Sequence, residues 1–166
     1  LTNNVSGKND CSDCNEEGLC ALFNTLSLRQ KAAIVSAAAT NQISAFVLED
    51  TKNHPHFFPL YGAYLFFMIM PIPLFGTSTL LLGSTLLWAR YSKSDYANRL
   101  NDRLKHAFNP RAAALDYTEA VICDALNGAI HIDGPKLARI SSSRSWNDTK
   151  EAAGLFGDYI KSKLSL

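Results

Sequence analysis

"FFMIMPIPLFGTSTLLLGSTLLWARY", residues 66–91, holds no charged side chain before Arg90, and Pro71 and Pro73 interrupt its middle. Whether this stretch is solvated by a protein core or by lipid decides the fold class of the whole chain. Its apolar character extends upstream, because residues 57–89 contain no Lys, Arg, Asp, Glu or His. A helix crossing the hydrocarbon of a bilayer needs about 20 apolar residues, and this stretch exceeds that. As one straight helix it would run about 50 Å, well past an apolar slab of about 30 Å, so the chain must tilt, break or turn.

The prolines choose among these outcomes. Pro71 and Pro73 each remove a backbone donor and bias Met70 and Ile72 away from helical dihedrals. Two arrangements are expected. One is a helical hairpin with its apex at the break and arms at residues 57–70 and 74–89. The other is a single span over residues 74–91 preceded by an oblique segment. Backbone groups freed at membrane depth need protein or a wet cavity around them, which implies other protein subunits beside the lipid. Gly76, Thr79 and Gly83 fall at i, i+3 and i+7 and form a smooth strip on which another helix can pack closely. Trp88, Arg90 and Tyr91 stand where a membrane-interface belt would be. Arg90, Lys93, Arg99, Arg103 and Lys105 follow the segment, whereas Lys52 precedes it beside Glu49 and Asp50. The positive-inside rule then places the C-terminal flank on the cytoplasmic or equivalent side. The competing reading buries the same hairpin inside an all-α soluble core.

The flanks are read as helical. Ser27 and Gln30 have capping-box spacing ahead of an Ala-rich run, with Leu28, Ala32, Val35, Ala39, Ile43, Phe46 and Val47 on its apolar face. That helix is expected to stop before "TKNHPHFFP", residues 51–59. After the segment, Ala97, Leu100, Leu104 and Phe108 form one stripe of an amphipathic helix that can continue directly from Arg90. Asn109 and Pro110 open another helix, carrying Leu115, Ile122 and Leu126 inward as far as Gly128. Ile130 and Ile132 alternate with His131 before Gly134 and Pro135, which predicts a short β-hairpin at about residues 129–140. A last helix places Ala152, Phe156, Tyr159 and Ile160 on its apolar side. The expected fold is therefore mainly α: a membrane-embedded broken apolar helix or helical hairpin flanked by amphipathic helices, with one short β-hairpin near the C-terminus. Its divisions are a polar Cys-containing segment 1–26, a helix and loop 27–56, the apolar segment 57–91 and a helical region 92–166.

A chain of 166 residues with net charge +1 and 19% charged residues makes no global basic field, which argues against nucleic acid as a partner. Cys11, Cys14 and Cys20 lie close together, and two of them can form a disulfide in an oxidising compartment. Zinc would require Cys123 or a histidine as fourth ligand, and no metal or other cofactor is expected. His54 and His56 are read as a polar loop, and the carboxylates Asp10, Asp13, Glu16 and Glu17 as side chains that face water without acid–base work. Asn4 and Asn147 head glycosylation triplets that matter only in a secretory chain. The first residue, Leu1, with no leader after it, leads to an expectation of a cleaved address.

No phosphate loop, nucleophile elbow or zinc-protease motif is present, so the chain is expected not to be an enzyme. The leading expectation is a non-catalytic integral membrane subunit that anchors and positions partner subunits of a larger assembly. Two alternatives share the hairpin: a processed, self-assembling subunit of a pilus or secretion filament, and a membrane-inserting toxin or immunity factor.

Overall fold

Ser27 starts the first long helix, α1 (Leu28–Asn53), through a reciprocal cap. The Gln30 amide donates to Ser27 Oγ at 3.3 Å, and the Ser27 amide donates to Gln30 Oε1 at 3.0 Å. Two of the donors that every helix leaves unpaired at its start are thereby satisfied. The structure, a computed structural model, describes residues 9–10, 25–69, 75–124 and 129–165, and among them it is mainly helical. α1 runs past its expected end at residue 50. Thr51 is buried and its hydroxyl donates to the Val47 carbonyl at 2.7 Å, which keeps the polar side chain inside the helical turn. Pro55 then stops it, because the residue before a proline resists helical dihedrals.

The chain divides into two compact units, residues 1–38 with 106–140 and residues 39–105 with 141–166. In the first, strand β1 (Asn9–Asp10) pairs antiparallel with β2 (Val121–Asp124), which pairs antiparallel with β3 (Ala129–Ile132). The registers are Asn9 with Cys123 and Ile122 with His131. A short helix, α5 (Pro110–Leu115), and a 3₁₀ turn (Thr118–Ala120) lead into β2. Ile34, Ala113, Tyr117, Ala120, Val121 and Ile130 are buried.

Here the sequence expectation was only partly right. A helix was expected to continue through Ile122 to Gly128, but it ends at Leu115 and residues 121–124 are a strand. Adjacent β-branched Val121 and Ile122 lose side-chain freedom in a helix, and pairing with β3 satisfies their backbone. The β-hairpin thus precedes Ile132 instead of following it. Gly134 and Pro135, read as its turn, open helix α6 (Gly134–Leu164). Asp133 caps that helix, its Oδ1 accepting the Lys136 amide at 3.0 Å, and a proline in the first turn loses no intrahelical bond. His131 is exposed and Ile130 buried, as their alternation implies.

The second unit holds α1 from Ala39 onward, α2 (Phe58–Ile69), α3 (Phe75–Tyr91), α4 (Asp95–Phe108) up to Lys105, and α6 from Ser141. The apex between α2 and α3, with Pro71 and Pro73, lies outside the described residues. α4 is a separate helix, not a continuation of α3. Ser94 caps it, its Oγ accepting the Ala97 amide at 3.2 Å. Ala97, Leu100 and Leu104 are buried as the stripe required, but Ala107 takes the place expected of Phe108, which is exposed.

α1 and α6 run parallel along a polar seam. Asn41 Nδ2 donates to the Ser141 carbonyl at 2.8 Å and to Ser145 Oγ at 2.7 Å, and Ser44 Oγ donates to Asp148 Oδ2 at 2.7 Å. Ser44 and Ser145 are fully buried, and their small side chains let the helices approach closely. Removing a hydrogen-bonding group from this seam strands its partners, whereas the Ser27 cap is open to water. Asn41→Ala is therefore expected to cost about 2 kcal/mol of stability and Ser27→Ala about 1 kcal/mol, read from urea unfolding midpoints.

Candidate functional site

The short connection around Pro55 brings α2 back beside the end of α1, and the apolar pair α2 and α3 stands on that junction. The arms are antiparallel, because Tyr61 lies with Trp88 at one cleft while Tyr64 is hydrogen-bonded to Thr85. Moving three residues forward on α2 moves three residues back on α3. At the root of this hairpin α1, α2, α3 and α4 enclose a cleft of about 340 Å³. Ile43, Val47, Leu60 and Leu100 give it aliphatic walls, and Phe46 and Trp88 add ring faces. Its polar atoms come from Tyr61, Tyr64, Tyr96 and Thr85.

Each of these hydroxyls has its proton committed inside the protein. Tyr96 donates to Tyr61 Oη at 2.8 Å, and Tyr61 donates to Asp50 Oδ2 at 2.8 Å. Thr85 donates to the Leu81 carbonyl at 2.8 Å, so in its bond with Tyr64 the phenol is the donor. Asp50 is only 3% exposed, and the Arg99 guanidinium lies 3.9 Å from its other oxygen. Arg99 also sits against the rings of Phe46 and Tyr96, 5.8 Å and 5.6 Å from their centroids. Phe46 and Tyr96 meet edge to face at 4.8 Å. Burial pushes the Tyr96 phenol above its ordinary range, against the opposing pull of its bond to Tyr61.

None of Asp50, Tyr61, Tyr64, Thr85 and Tyr96 stood out as a site residue in the sequence. Two tyrosines at i, i+3 inside a charge-free run were the available signal, since a buried phenol needs a partner for its hydroxyl. The packing and interface residues that sequence reasoning nominated lie on α3, away from this cleft apart from Trp88. A Cβ added at Gly83 would meet no atom within 4 Å among the described residues, and it is Thr85 that joins the two arms. Gly76 and Thr79 lie on α3, where only their backbone is described. Trp88, Arg90 and Tyr91 are exposed at the end of α3, with Trp88 against Tyr96 at 5.9 Å between ring centroids.

Of the five cations read as a flank, three face carboxylates: Arg99 meets Asp50, Arg103 meets Glu49 and Lys105 meets Asp102. No sidedness follows from this flank. Cys11, Cys14 and Cys20 lie outside the described residues. His54 and His56 are exposed with ring centroids 6.0 Å apart, and among the described residues no group of three or more His, Cys, Asp or Glu is placed to hold a metal. No known protein family, curated protein or solved structure matches the chain.

The hydrogen-bonded chain makes two measurable demands. Tyr61→Phe takes the donor from a buried carboxylate and is expected to cost about 2 kcal/mol, whereas Asp50→Asn keeps an acceptor for Tyr61 and costs less. The raised Tyr96 phenol holds its proton in the folded state above the pH, about 10, at which the unfolded chain releases it. Its contribution is therefore complete below about pH 10 and is lost as pH rises through the folded value. Tyr96→Phe is expected to flatten the fall of the urea midpoint above about pH 10.

Proposed function

We propose that the chain is a non-catalytic membrane subunit held in one face of a bilayer by the hairpin of α2 and α3, and that it positions partner subunits there. One observation carries this reading: the charge-free hairpin turns large apolar side chains outward, with Leu60, Leu80 and Leu87 at 71%, 73% and 61% exposure. Isolated exposed leucines are ordinary on a protein surface. Several on a helix pair without any Lys, Arg, Asp, Glu or His between 57 and 89 form a surface that water covers poorly.

The lengths favour dipping over spanning. α2 has 12 residues and α3 has 17, about 18 Å and 26 Å, and both fall short of a hydrocarbon core of about 30 Å. Antiparallel arms return the chain to the side from which it entered, which supports the hairpin over a single span. Trp88 and Tyr91, with Arg90 and Lys93 beyond them, suit the boundary between acyl chains and headgroups. The open face at Gly83 offers a partner helix close approach.

Among the described residues α1 is the one helix long and apolar enough to cross a membrane. Half of its apolar window is buried within the protein, and it carries Asn41, Ser44 and Asp50 into contacts with other helices. Those properties are those of a core helix, so α1 is not assigned to lipid.

The test is carbonate washing of membranes containing the full chain, followed by flotation with vesicles of phosphatidylcholine and phosphatidylglycerol. The wild type is expected to stay with the membrane and float. Leu60→Glu, Leu80→Glu and Leu87→Glu together are expected to release it without changing its circular dichroism. A wild-type chain that washes off as a soluble monomer, or that grows into open-ended homopolymers, overturns the reading.

A further inference from the structure

We infer that the root of the hairpin recognises anionic phospholipid headgroups, an inference that rests on the reading of the hairpin as a membrane segment. The net charge of +1 is unevenly divided along the chain. The unit that holds the hairpin has ten Lys or Arg against seven Asp or Glu, and the other unit has six against eight. Such an asymmetry points to an anionic partner for the more basic part. Within the hairpin unit the excess collects at one level. No Asp or Glu occurs from residue 51 to residue 94, so on leaving the apolar arms in either direction the chain meets cations first, Lys52 before α2 and Arg90 and Lys93 after α3. The arms are antiparallel, which puts both flanks at the same end. Phe156 meets Phe58, the first residue of α2, at 5.7 Å between ring centroids, so the last turns of α6, with Lys161 and Lys163, start from this level too.

The carboxylates around this level already have positive charge beside them. Asp50 is buried with Arg99 at 3.9 Å, and Glu49, Asp102, Glu151 and Asp158 meet Arg103, Lys105, Lys52 and Lys161. Asp95 stands in the first turn of α4, where the helix dipole favours a negative side chain. Arg90 and Lys93 are exposed, and among the described residues neither meets a carboxylate. These cations are spread along a rim, with no buried polar side chain between them to enclose a single soluble anion. Their neighbours are the exposed rings of Trp88 and Tyr91 and the outward side chain of Leu87. A negative headgroup joined to acyl chains satisfies the rim and the apolar face together. A nucleic acid has no hydrocarbon to offer that face.

The test uses the full chain carrying Trp146→Phe, so that Trp88 alone reports by fluorescence. It is reconstituted into mixed vesicles of phosphatidylcholine and phosphatidylglycerol in which one lipid or the other is brominated near the top of its acyl chains. Brominated phosphatidylglycerol is expected to quench Trp88 more than brominated phosphatidylcholine at the same mole fraction, a preference of about fivefold that shrinks as salt is raised. Arg90→Gln and Lys93→Gln together are expected to bring the two lipids close to equality while leaving quenching by phosphatidylcholine unchanged. Lys105→Gln, which removes a lysine that already meets Asp102, is expected to keep the preference. Circular dichroism confirms that each variant is folded. Equal quenching of the parent chain by the two lipids, or a preference that survives the double substitution, would overturn this inference alone. Absence of quenching by either lipid would overturn the membrane reading and this inference with it.

Discussion

A carboxylate removed from water has to be compensated, and Asp50 sets the geometry of the hairpin root through that requirement. Its partners come from two other helices: Tyr61 on α2 supplies the hydrogen bond and Arg99 on α4 the nearby positive charge. Tyr96 then fixes the Tyr61 hydroxyl from the far side. Removing one partner of a buried charge is costly, because the charge is left without compensation. The entry of α2 is thus held by electrostatics at Tyr61, and one turn further on by the hydrogen bond of Tyr64 to Thr85 on α3.

Two kinds of helix surface coexist in the second unit. Along the seam of α1 and α6 the buried residues Ser44 and Ser145 are small and hydrogen-bonded, with half-buried Asn41 beside them, while Ile43, Phe46 and Val47 of α1 are buried on its apolar side. Along α2 and α3 the exposed positions are large and apolar, with Leu60 and Leu80 foremost. Leaving such leucines outside the protein forgoes stabilisation, since apolar area is worth about 25 cal/mol per Å² when removed from water. That outward apolar surface is what links the unit's architecture to the reading of the hairpin as a surface made for lipid or for another chain.

Much of the helical fold was legible because it is written locally. The Ser27–Gln30 cap and the Ala97, Leu100 and Leu104 stripe each involve residues within a few positions, and both are present. α2 is described as far as Ile69 and α3 from Phe75, and the proline break read between them lies outside the described residues. What could not be read is non-local. Residues 121–124 look helical until Ala129–Ile132 pairs with them, and only that ladder reveals a strand. The candidate site was invisible for the same reason, as Tyr96 meets Tyr61 across a separation of 35 residues. Asp50 passed for ordinary polarity near a helix end, because nothing in its neighbours announces that it is buried. Ser94 hid a helix start between two helices that appear continuous in composition.

The parallel seam between α1 and α6 has a consequence for the order in which this molecule is made. Asn41 finds its partner 100 residues downstream, whereas Tyr64 and Thr85 are separated by 21. Synthesis runs from the N-terminus, so both arms of the hairpin exist, with their contact able to form, well before Ser141 and Ser145 leave the ribosome. During that interval the polar edge of α1 faces water and the apolar arms have no later helix to shelter them. Long-range closure is slow compared with local pairing, which lengthens the interval. The chain order itself thus leaves the hairpin available to a bilayer or a chaperone before the last helix arrives, and Leu60, Leu80 and Leu87 stay exposed after it.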